Sequence, residues 1–393
     1  MRTFAKSVAG IAAASLLIPL LVGSPALAAE SSPVLLGENT AAAAKALPLN
    51  DLVVAGGQAY SSYGDFDKNV GPIALTSLNT TTGAQTTHLT VNGEELKALR
   101  RFGDRVFTAD IDPRTSWTAN AGFASNSAGS WQYTAGTPFI HVFDVARTSK
   151  EIFLAGSIVN PDPAKYGPAP YLAAIKKSAD GGRTWTIEKA RSSASGANDG
   201  DRYYWLAAVG DKVAAIAEVR DAKGVPNRQL DVYSGGRWST VDLGTRSAYA
   251  MVHDATDVEV IGTRIVFSRF NQLVYIDLAA KGKASGVVIS SWPADIGIAD
   301  LTVANGVIYA VGQRIAGTGI DHSRNLVYAS RDANTWQLVA SPQVVPATTY
   351  WDHGGGLMIP VYGKYTAISV DGGRMYLGGN DARVYTVAAP VVR

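Results

Sequence analysis

No cysteine occurs among the 393 residues, which excludes disulfides, thiolate metal sites, a cysteine nucleophile and a lipid anchor on an N-terminal cysteine. Charge is also scarce, with 17% charged residues and five histidines. There is no Lys/Arg cluster of the kind that grips a phosphate backbone. Only one long apolar run exists, from Val8 to Val22, too short to anchor in a bilayer. Arg2 and Lys6 precede it, and Pro25-Ala26-Leu27-Ala28 follows with the small residues that signal peptidase needs. Residues 1–28 therefore read as a signal peptide and 29–393 as a single domain. Removing 28 residues from 393 leaves 365 and takes Lys+Arg from 35 to 33, equal to the 33 Asp+Glu. The pI of 8.5 belongs to the export signal. These absences predict a secreted, extracellular monomer with no nucleic-acid partner, no membrane contact, no metal and no cofactor.

What is present is a repeat, the first thing to seek in a chain of this length. A short β-like run, a two-residue turn and a second run opening on a β-branched or aromatic residue recur seven times. The turns fall at Gly56-Gly57, Gly103-Asp104, Ser149-Lys150, Gly210-Asp211, Gly262-Thr263, Asn305-Gly306 and Gly372-Gly373. Most carry the Gly, Asn and Asp that tolerate a positive φ in a tight hairpin. Between 56 and 372 the mean spacing is about 53 residues, close to the roughly 40–50 of a four-stranded propeller blade. Forty glycines with frequent Thr, Val and Tyr suit short strands; only 41–46 and 94–101 look briefly helical. The expected fold is all-β, a seven-bladed β-propeller. Six blades remain the alternative, because 110–150 does not divide cleanly into two. After the seventh hairpin one strand is left, Arg383-Val384-Tyr385-Thr386-Val387. Pro33-Val34-Leu35-Leu36 from the other end of the chain is placed beside it, closing the ring and covering both edges.

One motif is specific. Ser178-Ala179-Asp180-Gly181-Gly182-Arg183-Thr184-Trp185 fits Ser-x-Asp-x-Gly-x-Thr-Trp. The pattern predicts a self-braced hairpin: Asp180 accepts backbone N–H groups, Gly182 takes a left-handed conformation, and Trp185 packs between sheets, with Ser178 and Thr184 bracing the turn. Degraded copies stand at Ser330-Arg331-Asp332-Ala333-Asn334-Thr335-Trp336 and Ser234-Gly235-Gly236-Arg237-Trp238. On these residues the chain resembles the Asp-box (BNR-repeat) β-propeller superfamily, which includes sialidases, other glycan-active propellers, sortilin-type receptors and photosystem-II assembly factors. The box implies the fold and says little of function, since it lies on outer hairpins. In architecture, export and lack of cysteine the chain is also similar to secreted seven-bladed propellers of the dispase autolysis-inducing kind, which affect a protease and are cross-linked by transglutaminase. That resemblance implies acyl-donor glutamines in turns and loops: Gln58, Gln85, Gln132 and Gln313.

Sialidases carry an Arg in a Phe/Tyr-Arg-Ile-Pro motif near the first blade; here Arg100-Arg101-Phe102 lacks the Ile-Pro. The nucleophile elbow, the zinc-protease helix motif and the P-loop are absent too. Asp65-Phe66-Asp67-Lys68-Asn69-Val70-Gly71 departs from a calcium loop, with Val70 where the sharp turn needs Gly and Thr76 where a bidentate Glu belongs. Long loops between second and third strands are expected at 61–70, 110–137, 160–170, 221–228 and 313–324, all on the face where inner strands begin; loops so long on one face imply use. Binding residues are expected there: Arg100, Arg101, Tyr203, Trp205, Asp254, His322, Tyr350 and Trp351. Acid–base candidates are His353, Asp352, Tyr204 and His253. Aromatics beside Asp, His and Arg suit sugar stacking or a protein hot spot; the competing reading is channel packing for Tyr204 and Trp205 and satisfied surface groups for the histidines. The leading expectation is a non-catalytic propeller that binds an extracellular protein or glycan. The alternative is a sialidase-like glycoside hydrolase or a polysaccharide lyase.

Overall fold

Each of the seven turns closes the hairpin between the first two strands of a four-stranded antiparallel sheet. In the computed structural model, residues 32–392 are described apart from 66–67, 69, 112–120, 128–129, 194–200, 226–228, 244–254, 256, 280–286, 315–324, 343–349, 353–357 and 361–363. The innermost strands are Asp51–Ala55, Glu95–Phe102, His141–Arg147, Arg202–Val209, Asp257–Ile261, Ile296–Ala304 and Tyr365–Asp371. Blades one to six each continue outward through the next three strands of the chain. Blade seven has only three strands of its own, and Val34–Glu38 adds to its last, Arg383–Ala388, with Leu35 opposite Tyr385. The molecule is a seven-bladed β-propeller, closed by a strand from the beginning of the chain.

Three sequence expectations are corrected. The stretch 94–101 is a strand, Glu95–Phe102, because pairing with Arg105–Ile111 outweighs a weak local helical pattern. In the other stretch only Thr40–Ala43 winds into a helical turn, capped by the Asn39 side chain on the N–H groups of Ala41 and Ala42. The stretch 110–137 is no single loop either. It contains Ala121–Ser127 and part of Ser130–Phe139, which complete blade two and separate it from blade three. A small extra hairpin, Tyr350–Asp352 with Met358–Pro360, lies between the sixth and seventh blades in the chain.

The core consists of apolar seams between adjacent blades rather than one centre. Phe267 of blade five meets Trp205 of blade four edge-on at 4.8 Å. Phe123 of blade two meets Trp185 of blade three at 5.4 Å. Such rings bury large apolar areas and lock neighbours in one register. Trp185 belongs to the braced hairpin. Asp180 Oδ1 accepts the N–H groups of Arg183 and Thr184 at 3.0 and 2.9 Å, and Oδ2 accepts the Thr184 hydroxyl at 2.7 Å. Gly182 stands at φ +94°, and a Cβ there would meet the Phe123 ring at 2.7 Å. Glycine is required both for the turn and for the packing.

Candidate functional site

Counting back from each first turn gives the inner lining of the ring. Five residues before the turns at Gly56, Ser149, Gly262 and Asn305 stand Asp51, Asp144, Asp257 and Asp300. Each accepts a backbone N–H from the inner strand of the next blade: Leu99, Leu206, Leu301 and Ile368, at 2.7, 2.8, 2.9 and 2.7 Å. Blade seven uses Ser369 on the N–H of Val54 to close the circle at 3.1 Å. Blade two, with Ala98 at the equivalent position, reaches forward through a side chain instead. Arg100 makes a bidentate bond to Asp144 at 2.9 and 3.0 Å and donates across the channel to the Val258 carbonyl at 2.9 Å. Asp144 is 1% exposed, so this charge pair is a structural member of the channel wall.

Residues six before the turns form the mouth of the channel. Blade one offers Asn50, and Lys97, Phe143, Tyr204, Ala299 and Thr366 follow from blades two, three, four, six and seven. The last five lie in register shifts of the first strand pair, which fall between Leu96 and Leu99, Val142 and Asp144, Tyr203 and Leu206, Ile298 and Asp300, and Tyr365 and Ala367. Bulges re-aim side chains that a regular strand would send elsewhere, and they recur beside binding sites. Here the large ones gather on one side. The Phe143 and Tyr204 rings meet at 4.8 Å, Lys97 Nζ stands 5.5 Å from both centroids, and the Arg202 guanidinium lies 5.6 and 5.8 Å from them. His141 stacks on Phe143 at 5.5 Å. Opposite stand small residues, Ala255 and Ala299. Between them a cavity of about 330 Å³ opens, floored by Asp51, Asp257 and Asp300.

The floor is electrostatically unusual. Burial, then the charge of Asp257, pushes the Asp51 carboxyl up to about 7. Burial lifts Glu259, deeper in the channel, to about 8 against the pull of Arg100. Asp300 is held well above the ordinary range by burial and by Asp257 and Asp51. Burial alone would lower Arg100, yet Asp144 and Glu259 keep it firmly protonated. The floor thus favours the protonated form of Asp51 and Asp300 far more than water does.

The sequence-predicted residues separate on this frame. Tyr204 and Trp205 line the cavity, and Arg100 lies in its wall. Tyr203 is fully buried and donates its hydroxyl to Asp231 at 2.7 Å, so it belongs to the packing between blades three and four. Arg101 is at the other end of the channel, bonded to the Val54 carbonyl and paired with Asp371 at 3.0 Å. Tyr350, Trp351 and Asp352 form one strand of the extra hairpin. His253, Asp254, His322 and His353 lie outside the described residues. The glutamines stand in strands rather than loops. The side-chain oxygen of Gln58 accepts from Ser77, that of Gln85 accepts from Thr40, and Gln313 donates to Asn325, while Gln132 is exposed. Asp65 of the calcium-like stretch pairs with Lys68 at 2.6 Å.

Sequence reasoning missed Lys97, Phe143 and the four clamp aspartates. A signal for them existed, a fixed count of five or six residues back from each turn.

No family model matches the chain, and no curated protein matches it either. Solved structures do. A chain of a mitotic checkpoint complex shares 8% identity, with 97% of this chain and 100% of that chain covered and a TM-score of 0.50. The β-propeller domain of the trilobed protease from Pyrococcus furiosus shares 10% identity over 86% and 95%, TM-score 0.45. BamB from Moraxella catarrhalis shares 12% over 86% and 82%, TM-score 0.41. At these identities the likeness is one of fold alone.

Proposed function

We propose that this chain is a secreted, non-catalytic β-propeller that binds an extracellular protein or glycan through the face on which its inner strands begin. The supporting observation is the cavity at the channel mouth, where bulged inner strands bring Lys97, Phe143 and Tyr204 together. At about 330 Å³ it is at the small end of ligand pockets, which suits one sugar ring or one side chain of a larger partner. The Asp180 and Asp332 turns support placing the chain among Asp-box propellers. The test uses the secreted protein on an array of sialylated, uronic-acid and neutral glycans and on immobilised proteins of its own culture medium. Lys97→Ala and Tyr204→Ala should each lower binding at least tenfold with the fold intact; binding that both variants retain rejects this site. Cross-linking by transglutaminase belongs to the same reading. A labelled amine should enter at Gln132 ahead of Gln58, Gln85 and Gln313, whose amides are already bonded.

One observation favours the enzymatic alternative, a glycoside hydrolase or polysaccharide lyase. Asp51, raised to about 7 by burial and by Asp257, has the proton affinity expected of a general acid. Mass spectrometry of the same glycans after incubation decides it. New oligosaccharides that disappear with Asp51→Asn establish the enzyme, and an unchanged panel leaves the binder.

A further inference from the structure

On the same face, the hairpin between the second and third strands of blade five is minimal: Arg264–Arg269 turns into Gln272–Asp277 through Phe270 and Asn271. Phe270 stands at φ +53°, a conformation that a bulky residue rarely adopts and that glycine or asparagine takes readily. Its side chain is nevertheless 65% exposed, so no packing inside the fold accounts for it. The hairpin is pinned by the segment that leads into blade six. The Phe270 carbonyl accepts the Ile298 N–H at 2.6 Å, and Asn271 donates to the Ala294 carbonyl at 2.7 Å. A strained, solvent-facing aromatic on a pinned turn is an outlier from which function can be inferred.

Phe270 borders a cleft of about 270 Å³ with Ile298, Ala299, Thr366 and Tyr365, whose buried hydroxyl has no hydrogen-bond partner among the described residues. Ala299 also lines the channel-mouth cavity, so the two are neighbours on blade six. The cleft's charged residues are both cations, Arg314 and Lys364. Among the described residues Lys364 has no carboxylate partner, and Arg314 has only a loose, exposed one in Asp295 at 3.5 Å. An apolar cleft edged by Lys364, without a carboxylate partner among the described residues, and by the loosely paired Arg314 complements an apolar side chain followed by a carboxylate.

We infer that this cleft is a peptide-docking site for an extended segment in which a large apolar residue precedes an acidic one, with the apolar side chain against Phe270 and Ile298 and the carboxylate against Lys364. The inference rests on this face being the binding face. It commits to a protein partner where the channel mouth alone allows a glycan as well.

The experiment uses the full secreted chain and fluorescent hexapeptides, blocked at both ends, that carry leucine-aspartate, leucine-lysine or serine-aspartate in a glycine-serine background. The leucine-aspartate peptide should bind at least tenfold more tightly than the other two. Lys364→Glu should reverse the preference between aspartate and lysine, a result that lost folding cannot mimic. Phe270→Gly should abolish binding while raising the melting temperature by about 1–2 °C as the strain is released. Equal binding of the three peptides, no binding of any, or Phe270→Gly that binds as before would each overturn the inference. So would a dimer in sedimentation that Phe270→Asp dissolves, because the cleft would then belong to a second copy. Lys97→Ala should leave hexapeptide binding within twofold. The channel-mouth reading and this one therefore fail separately: glycan binding lost with Lys97 but indifferent to Phe270 leaves the first standing alone.

Discussion

Aspartate braces this propeller in two places, and the two kinds differ in nearly every physical respect. Asp180 on the outer hairpin of blade three is half-buried, accepts from Arg183 and Thr184, and is held well below the ordinary range by those bonds, the Thr184 N–H foremost. Asp51 and Asp300 in the channel each join one blade to the next, and burial drives both in the opposite direction. The outer kind stabilises a turn that its neighbours in sequence already favour. The inner kind ties together residues far apart in the chain, 48 between Asp51 and Leu99 and 68 between Asp300 and Ile368. Local bracing and ring closure therefore use the same side chain with opposite proton affinity.

The sharpest way to break the inner set is through its counter-ion. Arg100→Met leaves Asp144 buried without its bidentate partner and removes the bond to Val258. Stranding one member of a buried pair costs about 3–5 kcal/mol, and urea denaturation should show a loss of that size. Arg101→Met, at an exposed pair on the other face, should cost no more than about 1 kcal/mol.

The pH dependence follows next. The folded state raises Asp51 to about 7 and Glu259 to about 8, whereas unfolded carboxyl groups titrate near 4. Between those values the folded chain binds protons that the unfolded chain has released. Their stabilising contribution is thus complete below about pH 4 and is lost as pH rises through 7 to 8, by about 1.4 kcal/mol per proton for each pH unit crossed. The melting temperature should fall from pH 5 to pH 8.5. A flat or rising profile over that range would show that the channel carboxyls stay ionised. Asp180 contributes in the opposite sense: its support is present above about pH 4 and is lost only as the solution becomes more acid.

A pair of substitutions at one residue sharpens the comparison. Asp300→Ala leaves the Ile368 N–H buried with no acceptor and should cost about 1–3 kcal/mol. Asp300→Asn keeps an oxygen for that N–H and has the uncharged character that burial favours in this carboxyl, so it should change stability by less than about 1 kcal/mol. Equal losses from both would mean that the carboxylate charge, not the acceptor, is what the ring uses.

The blade count and the closing strand were legible in sequence because they rest on local signals. Tight turns need Gly, Asn or Asp, and edge strands need partners. The braced hairpin was legible for the same reason, since every contact of Asp180 lies within four residues. The site was less legible. Lys97, Phe143 and Tyr204 have nothing in common as residue types, and they meet only because the inner strands bulge at equivalent positions. Tyr203 and Tyr204 show the limit clearly. Adjacent and chemically identical, one is buried against Asp231 and the other lines the cavity. Alternation along a strand assigns them to opposite sides, but the bulge decides which side is which.

The smallest effect is expected at the outer brace. Asp180→Asn keeps one oxygen for the backbone N–H groups of Arg183 and Thr184 and exchanges the other for an amide donor, so the Thr184 hydroxyl loses its acceptor. The turn is still fixed by Gly182 and by the bond from Trp185 Nε1 to the Gly182 carbonyl at 3.1 Å, and Trp185 remains against Phe123. Global stability should therefore move less than it does with any of the Arg100, Arg101 or Asp300 substitutions. The change should be local: amide hydrogen exchange at Arg183 and Thr184 should quicken, while Leu206 and Ile368, held by the channel aspartates, exchange as before. Faster exchange at Leu206 or Ile368 would show that the outer hairpins and the inner ring form one cooperative unit, and the distinction between the two kinds of aspartate would then be one of chemistry without mechanical consequence.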